Sequence, residues 1–488
     1  MREVFIQEEN KSLKEAFEIP IAEAGPFTLE KRGIDYIPKS ERWATPSSLF
    51  WMWGGAIFNV EILVYGAVLM SFGLSFFQSV VIILLGNLSY ILLGVASLQG
   101  PEAGTTTFII NRASFGSKGS RLIALFNWLT QVGFETEGIA IVVIAGMALL
   151  SKVGVGSSTT VKVILLVVAG GIQLILPAFG HQAILKTLKV LFIPFFVLFL
   201  VFGILSIGKV NLHSVAHGAN WQTLTEGLAF ILSASGLGWT ENGNDYSRYL
   251  PRDASKGKTV LFVTLGTYVP SVLLMILGAA AATFAGSASG SIPGIASKLT
   301  PWFIWPYLIV AIIQIFAINS LDLYSSGVTL QALGLKLARW KATLLDTVIC
   351  TSLAAYAVFS SSFNTLLSEF ILYIIVWVAP WTAIYLVDWL MRKRQYSATD
   401  LQLVDRGIYY RGNGIFMPGV VAQIAGMVGA MLTIDVYPHY VSVFSNATNG
   451  ADISVFVGLL VGGVVYYVLA KRKIDDEVTA QFAAISID

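Results

Sequence analysis

The chain has 488 residues, of which 55% are apolar and 12% charged, with a mean hydropathy of +0.72 and a formal net charge of +2. That mix lies far outside soluble globular proteins and argues against a soluble enzyme or a nucleic-acid-binding module. The single cysteine, Cys350, excludes an internal disulfide and reads as a small buried hydrophobe; the four histidines are dispersed, so no metal site and no cofactor is expected.

In chain order, residues 1–45 are polar and lack the apolar core of a secretory signal, so they read as a cytoplasmic N-terminal segment. Apolar runs then recur at 47–70, 74–98, 121–149, 161–178, 184–207, 222–242, 258–284, 303–330, 342–359, 363–389, 415–433 and 452–470. Most approach the roughly 20 residues a helix needs to cross about 30 Å of hydrocarbon. The expected fold is an all-α membrane protein of twelve transmembrane helices, numbered here as spans 1 to 12. With the N-terminus inside, 27 of the 31 lysines and arginines fall on cytoplasmic segments, the exceptions being Lys152, Lys162, Lys209 and Lys298. Both termini are therefore expected in the cytoplasm, in a multi-pass protein of the plasma membrane.

Polar and glycine interruptions recur five spans apart. Span 1 carries Gly54, Gly55, Asn59 and Glu61; span 6 carries Gly236, Gly238 and the stretch from Glu241 to Asp245. Span 3 carries Glu135 and Glu137, and span 8 carries Asn319 and Asp322. The expectation is two inverted five-helix repeats, 46–207 and 208–390, with spans 1 and 6 broken near the midplane. A cytoplasmic loop at 391–414, two added spans within 415–470 and a tail at 471–488 complete the chain.

A carboxyl group inside a membrane span is costly and usually faces a cavity on a transport path. Glu61, Glu135, Glu137, Glu241 and Asp322 all fall inside expected spans, with no lysine or arginine deep in any span to pair with them. Their counter-charge must be a proton, a metal cation or the substrate. Asn127, Gln131 and Glu135 follow at spacing four and share one face of span 3, either as substrate contacts or as helix-to-helix hydrogen bonds; Glu137 points away and reads as structural. Asn319, Asp322 and Ser326 share a face of span 8. Phe58 and Trp239, beside the two breaks, are candidates to stack on a planar ring. The unwound stretch from Gly54 to Phe58, with the carbonyls of Gly54 and Ile57, is a candidate cation site. Asp245 and Arg248, three apart near the cytoplasmic end of span 6, read as a structural or gating ion pair.

These stretches resemble the purine-cytosine permease family of nucleobase:cation symporters. The resemblance rests on GWTENGNDYSRYLP at 238–251, NRASFG at 111–116, ILPAFGHQAILKTLKVLFIP at 175–194, INSLDLYSSGVTLQALG at 318–334 and FILYIIVWVAPWTAIYLVDWLMRKRQY at 370–396. It implies alternating access and a planar heterocycle bound between spans 1, 3, 6 and 8. By that resemblance Gln131 and Glu135 occupy the span 3 positions that contact substrate, Trp239 the span 6 aromatic and Asp322 a position where many members have asparagine, and Asn59 matches an asparagine of the cytosine-purine branch. Phe316 and Ala317 stand where sodium-coupled members place hydroxyl ligands, which favours H+ over Na+ as the co-transported ion, with Glu135, Glu241 and Asp322 as carriers.

The expected function is a symporter importing a nucleobase, cytosine or a purine, or a similar nitrogen heterocycle with a cation. The alternatives are an H+- or Na+-coupled carrier of a hydroxymethylpyrimidine-, thiamine- or pyridoxine-like molecule, and an amino-acid transporter of the same architecture. The expected partners are the small-molecule substrate and the lipid bilayer, not nucleic acid; oligomeric state is left open.

Overall fold

The first membrane helix begins where the sequence supplies a cap. In the computed structural model, which describes residues 33–213, 220–286, 292–359, 363–436 and 439–485, Thr45 and Ser48 each accept the other's backbone N–H, with Pro46 at the first helical position. Residues 1–32 and 486–488, parts of the expected N-terminal segment and tail, lie outside the described residues. Helix α1 (Pro46–Ile57) stops at Phe58, and α2 (Val60–Ser71) leaves at 59° to it. Asn59 makes the break. Its Oδ1 accepts from the N–H groups of Glu61 (2.8 Å) and Ile62 (3.2 Å), capping α2, while its Nδ2 donates to the last turn of α1 at Ala56 O (2.8 Å).

Span 2 is built of α3 (Phe76–Asn87), α4 (Tyr90–Ala96) and α5 (Gln99–Ala103), and the long third helix is α6 (Ser120–Lys152). There follow α7 (Thr159–Gln173) with a short continuation, and α8 (His181–Ser206). Span 6 is α9 (Trp221–Ala234), an irregular stretch, a 3-10 turn at Thr240–Asn242 and α10 (Gly243–Ser247). The rest is α11 (Lys256–Ala285), α12 (Pro301–Ala332), α13 (Arg339–Phe359), α14 (Phe363–Met391), α15 (Met417–Met431), the two-residue strands β1 (Asp435–Val436) and β2 (Tyr440–Val441), and α16 (Ser454–Ile485). The described residues are 77% helical. Among the described residues nine helices are long and apolar enough to cross a membrane, and the bent α1–α2 pair makes up to ten; α9 and α15 are shorter.

The two breaks have different causes. Gly54 and Gly55, expected to interrupt span 1, lie inside α1, where they let it touch α8. A methyl group at Gly55 would sit 2.4 Å from Leu188 O. In span 6 the glycines do mark the break, because α9 ends at Ala234 and a methyl group at Gly236 would meet Tyr90 N at 2.0 Å. The irregular backbone of span 6 thus rests on the kink of span 2 between Asn87 and Tyr90, where Ser89 and Ser235 share a hydrogen bond of 3.1 Å. Asn242 and Asn244 do not break the helix; they belong to the turn and to α10.

Helix α6 packs along α12, and α11 crosses both halves of span 1. The crossing is close because two glycines face opposite backbones: a methyl group would lie 1.9 Å from Met275 O at Gly66 and 1.8 Å from Leu63 O at Gly278. Helix α16 continues well past the expected end of span 12 and carries Glu477 back to the α14 end. There the buried pair Arg392–Asp388 (3.0 Å) extends to Glu477 (3.0 Å) and Arg411, and Arg392 and Arg411 both donate to Ala113 O.

Candidate functional site

Between the broken helices and the α6–α12 pair runs a band of polar side chains in an apolar interior. The four-residue spacing on α6 holds. Asn127 Nδ2 donates to Thr329 Oγ1 (3.0 Å) on α12, and Gln131 Nε2 reaches Asn127 Oδ1 (3.4 Å) and Asn242 Oδ1 (3.2 Å) in the turn of span 6. Span 3 is therefore tied to spans 6 and 8 by amide hydrogen bonds one turn before Glu135.

Gln131 Oε1, both carboxylate oxygens of Glu135, both of Glu241 and Asp322 Oδ1 are buried without a hydrogen-bond partner among the described residues. Glu135 and Glu241 are 0% exposed and Asp322 3%. Asp322 is near enough to both glutamates for the charges to interact. Each buried polar atom left unpaired costs on the order of 1–3 kcal/mol, so these residues fit a bound molecule that presents donors or positive charge. Every unpaired atom of this set is an acceptor.

Trp239 has its predicted place at the break, but its ring partner is Phe134 of α6, with centroids 6.4 Å apart and planes 16° from parallel. Trp53 of α1 meets Trp239 edge-on at 5.6 Å and Tyr246 at 5.5 Å, and its buried Nε1–H is a donor with no partner among the described residues. Neither Phe134 nor Trp53 was singled out from the sequence, since each sits in an apolar run like any packing residue. Asp346 of α13 was also missed. It accepts from Trp128 Nε1 (2.6 Å) and Ser326 Oγ (2.7 Å), and its charge reaches Glu135.

Several expected site residues are occupied elsewhere. Phe58 packs into Phe192, Phe196 and Phe199 of α8. Asn59 is committed to the helix break. The Gly54 and Ile57 carbonyls already accept the N–H groups of Phe58 (3.0 Å) and Asn59 (2.8 Å). Asn319 turns toward helix packing, donating to Glu135 O (3.4 Å) and Gln173 Oε1 (3.3 Å). Asp245 and Arg248 form no direct ion pair. Asp245 Oδ1 accepts from the Thr107 N–H (3.1 Å), while Arg248 donates to Gly33 O (2.6 Å) and to the hydroxyl of Tyr324 (2.8 Å), because a shared helical turn does not make two side chains point at each other.

The family described as a permease for cytosine/purines, uracil, thiamine and allantoin matches residues 36–458. The Bacillus subtilis (strain 168) protein YxlA, provisionally named a purine-cytosine permease, is 29% identical over 471 residues that cover 91% of this chain and 97% of that one. The cytosine permease of Escherichia coli (strain K12) is 24% identical over 421 residues, covering 81% and 91%. In fold the chain is similar to Mhp1, a nucleobase-cation-symport-1 family transporter solved in a closed conformation with bromovinylhydantoin bound: TM-score 0.71, 18% identity, 93% of this chain and 96% of that one. With these matches, the multi-pass membrane chain is a permease and not an enzyme, and it belongs to the family of permeases for cytosine/purines, uracil, thiamine and allantoin.

Proposed function

We propose that the protein is a secondary active symporter that imports a nucleobase, cytosine or a purine, or a similar planar nitrogen heterocycle, together with H+ by alternating access. The observation that carries this reading is the buried, unpaired acceptor set of Gln131, Glu135, Glu241 and Asp322 on spans 3, 6 and 8, together with the Phe134–Trp239 ring pair that joins spans 3 and 6. Flat aromatic walls suit a planar ring, and unpaired acceptors suit its N–H edge. The names of the relatives, purine-cytosine and cytosine permeases, support the same substrate class, and the hydantoin bound to Mhp1 is itself a small heterocycle.

The twelve-span, five-plus-five layout is the frame for this mechanism, with both termini cytoplasmic and the protein in the plasma membrane. H+ is preferred to Na+ because Phe316 and Ala317 offer no side-chain oxygen and the Gly54 and Ile57 carbonyls already hold backbone donors. Substrate and proton would favour one closed state together, which is what coupling requires. A cationic ring of the thiamine type is a second reading favoured by the acids alone. Counterflow in proteoliposomes against a panel of nucleobases, vitamin rings and amino acids, with and without pH and sodium gradients, tests both. Exchange of amino acids but of no heterocycle would sink the proposal.

A further inference from the structure

Tyr65 lies one turn beyond Glu61 on α2, and its hydroxyl contacts two carboxyl groups. It donates to Glu61 Oε1, and it lies 3.3 Å from each oxygen of Glu137 on α6. Glu61, Tyr65 and Glu137 are all buried. A phenol has one proton to donate. With that proton aimed at Glu61, Tyr65 makes a full hydrogen bond to Glu137 when it acts as acceptor there, which requires Glu137 to bring a proton of its own.

The backbone says which acid that is. Glu61 sits in the first turn of α2, where the positive end of the helix favours an anion. Glu137 lies in the middle of the 33-residue α6, away from either end. The titratable groups facing the two acids are each other, Tyr65, Tyr90 and Asp322, with no lysine, arginine or histidine among the described residues. Asp322, with its unpaired and buried Oδ1, lies within charge range of both.

We propose that Glu137 is a proton-binding site whose proton is relayed through the Tyr65 hydroxyl to Glu61, across the contact between α2 and α6. In the step the Glu137 O–H bond breaks as one forms on the Tyr65 oxygen, and the proton already on Tyr65 passes to Glu61. Glu137 is left ionised, Glu61 neutral and the phenol unchanged. The relay joins a half of the broken helix to α6, so any movement of one against the other makes or breaks it. As the seat of the co-transported proton it rests on the transporter reading above, yet it lies on the face of α6 turned away from Glu135.

The test is infrared spectroscopy of the full-length protein in lipid, with thermal shift to confirm that each variant is folded. The protonated-carboxyl band at neutral pH should lose a component in Glu137→Gln and shift in Tyr65→Phe, while Glu61→Gln and Glu135→Gln keep that component. Loss of that component in Glu61→Gln, or no change in Glu137→Gln and Tyr65→Phe, would overturn the assignment. In proteoliposomes an inward proton gradient should no longer stimulate uptake by Glu137→Gln, and stimulation equal to the parent's would also overturn it. Absence of any heterocycle uptake by the parent would sink the transporter reading instead, and the infrared band would still decide the proton assignment.

Discussion

Trp239 and Phe134 hold their rings nearly parallel, 16° between planes and 6.4 Å between centroids, one from the broken span 6 and one from the unbroken α6. A planar molecule that stacks on this pair is held by two elements that meet only in the folded transporter. Stacking of a base on an aromatic side chain is worth about 1–3 kcal/mol. Trp239→Ala should therefore weaken nucleobase binding by roughly 5- to 150-fold, and Trp239→Phe should recover most of it, as read by the KM of counterflow.

The unpaired acceptors predict a change of selectivity. Hydrogen bonds to charged groups contribute roughly 1.5–3 kcal/mol. Glu135→Gln and Glu241→Gln each replace an acceptor oxygen by a donor. Both should lose amino-bearing rings such as cytosine by about tenfold or more and lose oxo-rich rings such as uracil less, measured in one competition panel. Equal loss for all rings would remove the two residues from substrate recognition.

The glycines at the α2–α11 crossing predict a stability effect with no cargo dependence. Over-filling a packed contact costs typically about 1–3 kcal/mol, and more where backbone is met. Gly66→Val and Gly278→Val should lower the melting temperature in detergent, since each added methyl would meet a backbone oxygen within 2 Å. Gly257→Ala has nothing within 4 Å, lies in the first turn of α11 and should be neutral or slightly stabilising by helix propensity.

The Arg392 network predicts a penalty for removing one partner. Arg392 is 3% exposed and Asp388 1%, and the Tyr466 hydroxyl also donates to Asp388 (2.7 Å). Arg392→Met strands that carboxylate among apolar helices and should cost about 3–5 kcal/mol. Expression yield and thermal stability should fall together, and a partner change Asp388→Leu in the same chain should restore part of both.

Much of the helical frame was legible because it is local. The expected spans 3, 5, 7, 8 and 10 end within a few residues of α6, α8, α11, α12 and α14, since about 20 apolar residues have one solution in lipid. The break of span 1 lies at Phe58–Asn59 and not at the glycine pair that the pattern of interruptions points to. At Gly54 and Gly55 glycine serves close approach, and the interruption is an asparagine whose side chain caps one half-helix while binding the other.

The sequence by itself determined that this is a multi-pass helical membrane protein, that spans 1 and 6 are interrupted, and that Glu135, Glu241 and Asp322 fall inside apolar runs with no lysine or arginine deep in any of them. Those properties follow from composition and from the 3.6-residue period, which neighbouring residues alone decide. Only the tertiary structure decided which faces meet. It sent Phe58 to α8, brought Phe134 and Trp53 to Trp239, kept Asp245 from Arg248, and set Glu137 against a tyrosine 72 positions earlier. The reason is that hydropathy shows a side chain to be buried but not against what, and a partner is chosen by packing between helices far apart in the chain.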